Sequence, residues 1–337
     1  VSADDPDRQT REPLVEDAPE GAGEQEQEQS LKRVEAGGIP LAAERRLREL
    51  GERGGAFTSD LSVGDFALCH QLRLKPVSQV MGSSIYQVGY QATPWPSAMG
   101  GSFMFEMEAL SQAWNEVRGL ALGRLAQEAS HVGADAVVGV ELRTGEHDWA
   151  ENAIEYVVVG TAIRHGRSAE SGGPAPSDEQ LRGRAPTPEE ARTQRGGPVL
   201  TELSVADYAK LLSAGVEPLG VVAWSSVFFV GASYSTQMMS GVGGLGFTQN
   251  QELREFTQGV YSARETVVAR LTEQAARLDA SGVIGVRIAH SIQRTTVGAG
   301  TYSRGGLMVT FHAIGTAIKE DRATIPHAPE TIIDLTT

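Results

Sequence analysis

The stretch "LSVGDF" (Leu61–Phe66) returns as "LSVADY" (Leu203–Tyr208), 142 positions later. The match continues at the same offset. Asp65 pairs with Asp207, Ala67 with Ala209, Pro76 with Pro218 and Val80 with Val222. Ser83-Ser84 falls on Ser225-Ser226, and Val88-Gly89 on Val230-Gly231. The offset then grows to 146, where "ADAVVGVEL" (Ala134–Leu142) lies over "ASGVIGVRI" (Ala280–Ile288). It ends at 155, where "GTAI" occurs at Gly160–Ile163 and at Gly315–Ile318. Conserved order with growing offsets is what duplication followed by two loop insertions produces.

Each copy predicts the same succession of elements. Ser62 and Ser204 sit at helix N-cap positions with Asp65 and Asp207 three residues on, close to a capping box. A β-rich segment follows, Pro76–Tyr90 and Pro218–Tyr234, and then a loop rich in Gly and Met. The next segment carries apolar residues at Leu110, Trp114, Val117, Ala121, Leu125, Ala129 and Val132. Steps of three and four place them on one face of a long helix. The second copy repeats the stripe as Phe256, Val260, Ala263, Val267, Leu271, Ala275 and Leu278. Two β-branched runs close each unit, Ala134–Arg143 with Ile154–Ile163, and Gly282–Gln293 with Leu307–Ile318. The expected fold is α+β: two tandem β-α-β-β units, each a small sheet packed on one long helix and preceded by a short helix.

Composition sets the remaining organisation. The net charge is −14, and residues 1–30 hold ten acids against Arg8 and Arg11. So polar a stretch cannot offset its ordering entropy by burial, so residues 1–39 are expected to be a disordered acidic tail open to a protein partner. "PLAAERRLREL" (Pro40–Leu50) predicts a helical arm over 40–56, docked through Leu41, Leu47 and Leu50. The first domain is expected over 57–164 and the second over 199–320. Residues 165–198 are a Gly/Pro/Ser/Arg-rich linker, and 321–337 a C-terminal tail. No basic face offers itself to nucleic acid. No apolar run reaches the ~18–20 residues of a membrane span, and the acidic start is unlike a secretory signal. One cysteine, Cys69, excludes an intrachain disulfide and a Cys-rich zinc site, which suits a cytoplasmic protein.

"HVGADAVVGVEL" (His131–Leu142), the amphipathic helix before it and "YVVVGTAI" (Tyr156–Ile163) resemble the YbjQ-like family, which carries a heavy-metal-binding label. Its signature is a helix running into G-A-D-A-V-[VI]-G, then a strand ending in G-T-A. The second copy departs from it, with Ser281-Gly282 where the first has Asp135-Ala136. The resemblance implies β-α-β-β units assembling into rings, typically pentameric, and supplies no catalytic residues. Its signature positions are Gly133, Asp135, Gly139, Gly160, Gly285 and Gly315. The strand glycines read as bends or close backbone approaches, and Asp135 as a brace for the turn after the helix.

Possible chemistry is sparse. Metal candidates are Cys69 and His70, the stretch Glu146, His147, Asp148 and Glu151, and Met99, Met104 and Met107. Adjacent Cys69 and His70 diverge by ~100° on a helix, and the second copy has no matching ligands. "GVGGLG" (Gly241–Gly246) fits a dinucleotide fingerprint in letters only, since no strand leads directly into it. There is no G-x-S-x-G elbow. His290 and His312 lie on expected strands, each open to a structural or a site role. The expectation is a non-enzymatic, ring-forming scaffold that partners itself, with a metal- or ligand-binding protein as the alternative.

Overall fold

In the computed structural model the described residues are 22–53, 57–89, 103–146, 153–165, 197–231, 252–297 and 304–320. The acidic segment 1–21, the linker between 166 and 196, Gly241–Gly246, His147, Asp148, Glu151, Met99 and residues 321–337 lie outside them. Two helices open the described chain, α1 (Ala22–Glu35) and α2 (Leu41–Arg53). The helical α1 corrects the expectation of disorder through residue 39; its i,i+4 ion pair Glu28–Lys32 is one local support.

The first repeat runs α3 (Val63–Gln71), β1 (Leu74–Gln87), β2 (Phe103–Glu106), α4 (Glu108–His131), β3 (Ala136–Glu146) and β4 (Ala153–His165). The second runs β5 (Val199–Leu200), α5 (Val205–Ser213), β6 (Val216–Gly231), α6 (Arg254–Arg277), β7 (Gly282–Val297) and β8 (Arg304–Glu320). The duplication holds in detail. The short helices begin alike, with Ser62 Oγ accepting from Asp65 N and Ser204 Oγ from Asp207 N, both at 3.1 Å. α4 and α6 are each 24 residues long. The predicted stripes face their own sheets: Val117, Ala121, Leu125 and Ala129 are fully buried, as is Ala263, with Val267 and Leu271 nearly so.

Among the described residues each sheet has four strands, in the orders β1-β4-β3-β5 and β2-β6-β8-β7. The β1–β4, β3–β4, β6–β8 and β7–β8 pairs are antiparallel, and bulges fall at equivalent places. One follows Pro76 in β1 and Pro218 in β6, where a proline removes a ladder N–H. The other lies at Gly139 in β3 and Gly285 in β7, whose φ values of +63° and +65° require glycine. Gly160 is a close-approach site, since a Cβ there would stand 2.6 Å from Val137 Cγ1; Gly315 meets Val283 Cγ1 at 2.7 Å. Asp135 Oδ2 accepts from His165 N at 2.7 Å, tying the start of β3 to the end of β4. The departure at Ser281 is chemically small: its Oγ accepts from Glu320 N at 3.0 Å, the same link one repeat on.

Two strands were not legible. β2 is short and lies where a loop was expected, β5 is the first two residues of the expected second domain, and each joins the sheet of the other repeat. Among the described residues no helix is long and apolar enough to cross a membrane.

Candidate functional site: the contact between the repeats

The repeats do not merely sit in tandem; they exchange strands. β5, the arm entering the second repeat, pairs in parallel with β3 of the first. Val199 N donates to Asp135 O at 3.0 Å and Thr201 N to Val137 O at 2.9 Å. The bulge completes the link, with Val140 N donating to Thr201 O at 3.0 Å and Gly139 N to Leu203 O at 2.8 Å. In return β2 of the first repeat pairs antiparallel with β6 of the second. Past the end of β2, side chains of α4 continue as a substitute strand. Ser111 Oγ accepts from Val227 N at 2.9 Å, while Asn115 takes Ser225 N at 3.0 Å and gives to Ser225 O at 2.8 Å.

Apolar packing follows the same exchange. Leu203, Val205 and Tyr208 of the second repeat form one buried cluster with Cys69, Leu74, Ala136, Val138 and Ile163 of the first. Cys69 is therefore core, and burial, aided by Asp65, pushes its thiol above the usual range. His70 is exposed and stacks edge-on with Phe66, so the Cys69–His70 pair is split between core and surface. Among the described residues no three of His, Cys, Asp and Glu gather as a metal site. Of the other ligand candidates, Met104 is exposed and Met107 packs at the edge of the main core. The neighbouring buried acid Glu202 accepts from Thr316 Oγ1, and burial raises its pKa.

At the centre of the contact lies a polar knot that sequence reading did not assemble. His312 Nδ1 is 2.9 Å from Ser225 Oγ and 3.0 Å from Tyr156 OH, and those two oxygens are 3.1 Å apart. Arg118 NH1 donates to Ser225 Oγ at 3.3 Å, and Trp114 packs edge-on against both His312 and Tyr156. A serine beside a histidine invites a nucleophilic reading. Here the serine is fully buried, and burial, then the charge of Arg118, pushes His312 down to about 4, leaving a weak base. The knot fastens β4, β6 and β8 to α4. His290, the other candidate, is exposed on β7 and stacks on Phe311 at 5.4 Å.

The folded value of His312 lies below its unfolded value, so its contribution is present above pH ~6.5 and fades as the pH falls toward 4. We expect stability to drop across that window by up to about 3 kcal/mol from this group. Glu202 titrates with the opposite sign, so the difference between wild type and His312→Asn isolates the histidine. Urea unfolding from pH 7.5 to 4 reads it; equal pH slopes in the two proteins would refute the assignment.

The contact also has unused halves. β7 is the last strand of its sheet among the described residues. Val286, at the position of fully buried Val140, is 43% exposed. On the opposite flank Val63, at the position of Val205 (1% exposed), is 88% exposed. The half-contacts are complementary by descent: Phe57, Ser59 and Leu61 stand where Val199, Thr201 and Leu203 stand, and Ser281, Val283, Gly285 and Val286 where their hydrogen-bond partners Asp135, Val137, Gly139 and Val140 stand.

Comparison with known proteins agrees with this architecture. A family described as "Putative heavy-metal-binding", the YbjQ-like family, matches residues 97–165 and again 222–321. An encapsulin nanocompartment protein of Mycobacterium tuberculosis is 31% identical over 280 residues, covering 83% of this chain and 90% of that protein. A UPF0145 protein of Clostridium novyi is 32% identical over 93 residues, 27% of this chain and 85% of its own length. That relative is thus about the length of one repeat here. No solved structure matches.

Proposed function

We propose that this chain, which belongs to the YbjQ-like family in two copies, is a non-enzymatic scaffold that assembles head to tail through the contact its own repeats make. One observation carries the reading: the intrachain contact is heterologous, so each chain presents one unused half of it at each end. A heterologous contact repeated between chains closes into a ring or runs on as a filament. Closure would also cover the last strand of the second sheet, β7, and edge strands are what indiscriminate pairing exploits. Similarity over most of the chain to a protein named for a nanocompartment supports a role in building an assembly.

The two repeats of one chain lie side by side. Rings of five repeats stacked in two layers would put the two copies of one chain in different rings. Strand exchange instead puts them next to each other, so a closed ring holds an even number of repeats. Five chains would then form one ring of ten. Native mass spectrometry tests this, with five chains of 35.8 kDa as the expected particle. A monomer at every accessible concentration would end the reading. The alternative, a metal- or small-ligand-binding protein, draws on the family's description and, within the described residues, on no ligand cluster. The lone reduced Cys69 suits a cytoplasmic setting.

A further inference from the structure

Between α4 and α6, on the helical side of the contact, runs a groove of about 750 Å³. Arg118 from α4 lines it, as do Trp224 from β6 and Arg270 from α6. Arg118 is 5% exposed, and among the described residues no carboxylate pairs with it; only neutral hydroxyls meet it, Ser225 Oγ accepting from NH1 at 3.3 Å and Tyr156 OH beside it. Its Nε–H is buried and has no acceptor among the described residues. The indole Nε1–H of Trp224 is likewise buried without one. The two groups are neighbours: Arg118 Cζ is 5.9 Å from the centre of the Trp224 ring, and Arg270 Cζ lies 5.6 Å from it.

Two orphan donors in one groove, one of them on a buried cation, are costly unless something accepts from them. The duplication shows that this is particular to the groove. Arg264, at the position of Arg118 in the second repeat, is half exposed and paired with Glu265 at 3.1 Å. The groove's acids do not relieve Arg118. Glu106 ends β2, and Glu108 opens α4, roughly 15 Å from Arg118 along the helix at ~1.5 Å per residue. Glu116 is engaged by Tyr86 OH at 2.8 Å and Gln112 Nε2 at 3.0 Å. Arg270 is paired outward with Glu273.

We infer that the groove between α4 and α6 is a binding site for a small molecule bearing an oxyanion, carboxylate or phosphoryl, whose oxygens accept from Arg118 and Trp224. Arg270, stacked on the same indole, adds positive potential at the mouth, and the remaining volume takes the body of the ligand. Burial already pulls the Arg118 guanidinium below its ordinary value, and an anion would restore it. The site lies between two repeats of one chain, so it is complete in a single copy and does not depend on assembly.

The test uses the full chain, with inorganic phosphate in one arm and citrate in the other, at ionic strength held constant with chloride. Thermal unfolding and tryptophan fluorescence are the readouts. Saturable stabilisation by phosphate identifies phosphoryl as the recognised group, and stabilisation by citrate identifies carboxylate. Arg118→Met removes the orphan charge and keeps the bulk, so without anion it unfolds at or above the wild-type temperature, and the anion-dependent shift disappears. Trp224→Phe keeps the ring, loses one donor and weakens the apparent affinity about tenfold; it is the decisive variant if Arg118→Met does not fold. No shift with either anion in wild type, or the same shift in wild type and both variants, would overturn the site.

Discussion

Val63→Asp and Val286→Asp should each abolish assembly while leaving the chain folded. Val63 is 88% exposed and Val286 43%, so a carboxylate at either place stays in water in the isolated chain. Surface substitutions of this kind change stability by about 0.5 kcal/mol or less. In the proposed interchain contact the same positions become what Val205 and Val140 already are within the chain, 1% and 0% exposed. A carboxylate there is buried without a partner, which costs several kcal/mol, repeated at every contact in a ring. The paired controls are Val205→Asp and Val140→Asp. They place the same charge in the intrachain contact and should unfold or severely weaken the monomer. Size-exclusion chromatography with light scattering, together with circular dichroism, reads both outcomes. If Val63→Asp and Val286→Asp assemble like wild type, the repeated contact is wrong even if the protein proves to be an oligomer.

Gly82→Ala should destabilise the first repeat by about 3 kcal/mol or more, an unusually large effect for one methyl group. A Cβ at Gly82 would overlap the Ala121 carbonyl oxygen and stand 2.7 Å from Leu125 N. Both obstacles are backbone, so no rotamer change relieves them. α4 would have to lift from β1, opening gaps around Val117, Ala121 and Leu125, which are now fully buried. With a typical domain stable by only ~5–15 kcal/mol, the loss is a large share of the total. The second repeat provides the contrast, since it carries Trp224 at the equivalent position. Urea denaturation with an unchanged m-value and a lowered midpoint is the expected result. A midpoint within error of wild type would show that α4 does not bear on β1 as described.

Much of a single repeat was legible because its determinants are local. The 3.6-residue stripe of α4 reappears in α6 and marks the buried face of each long helix. A hydroxyl three residues ahead of an aspartate marks both caps. The strand glycines fall at bulges and at a close approach, as their positions among β-branched neighbours suggest. Duplication added a check that a single copy lacks, because two versions of each element had to agree. It even rationalises Ser281, whose hydroxyl makes the backbone link that Asp135 makes with a carboxylate.

What the letters could not disclose is which surfaces of one copy the other would cover. Val63 and Val205 are the same residue in the same motif, yet one meets water and the other is core; Val286 and Val140 differ likewise. β2 and β5 have too few residues for a periodicity, and they become strands only because an edge of the other sheet is there to pair with them. Arg118, Tyr156, Ser225 and His312 come from four elements across both repeats, and nothing in their spacing announces that they meet. The sequence by itself determined the repeating unit, since caps, stripes and strand glycines act within one copy. Only the tertiary structure decided the exchange of strands, the knot and the groove between α4 and α6, because backbone edges and buried charges find their partners through space rather than along the chain.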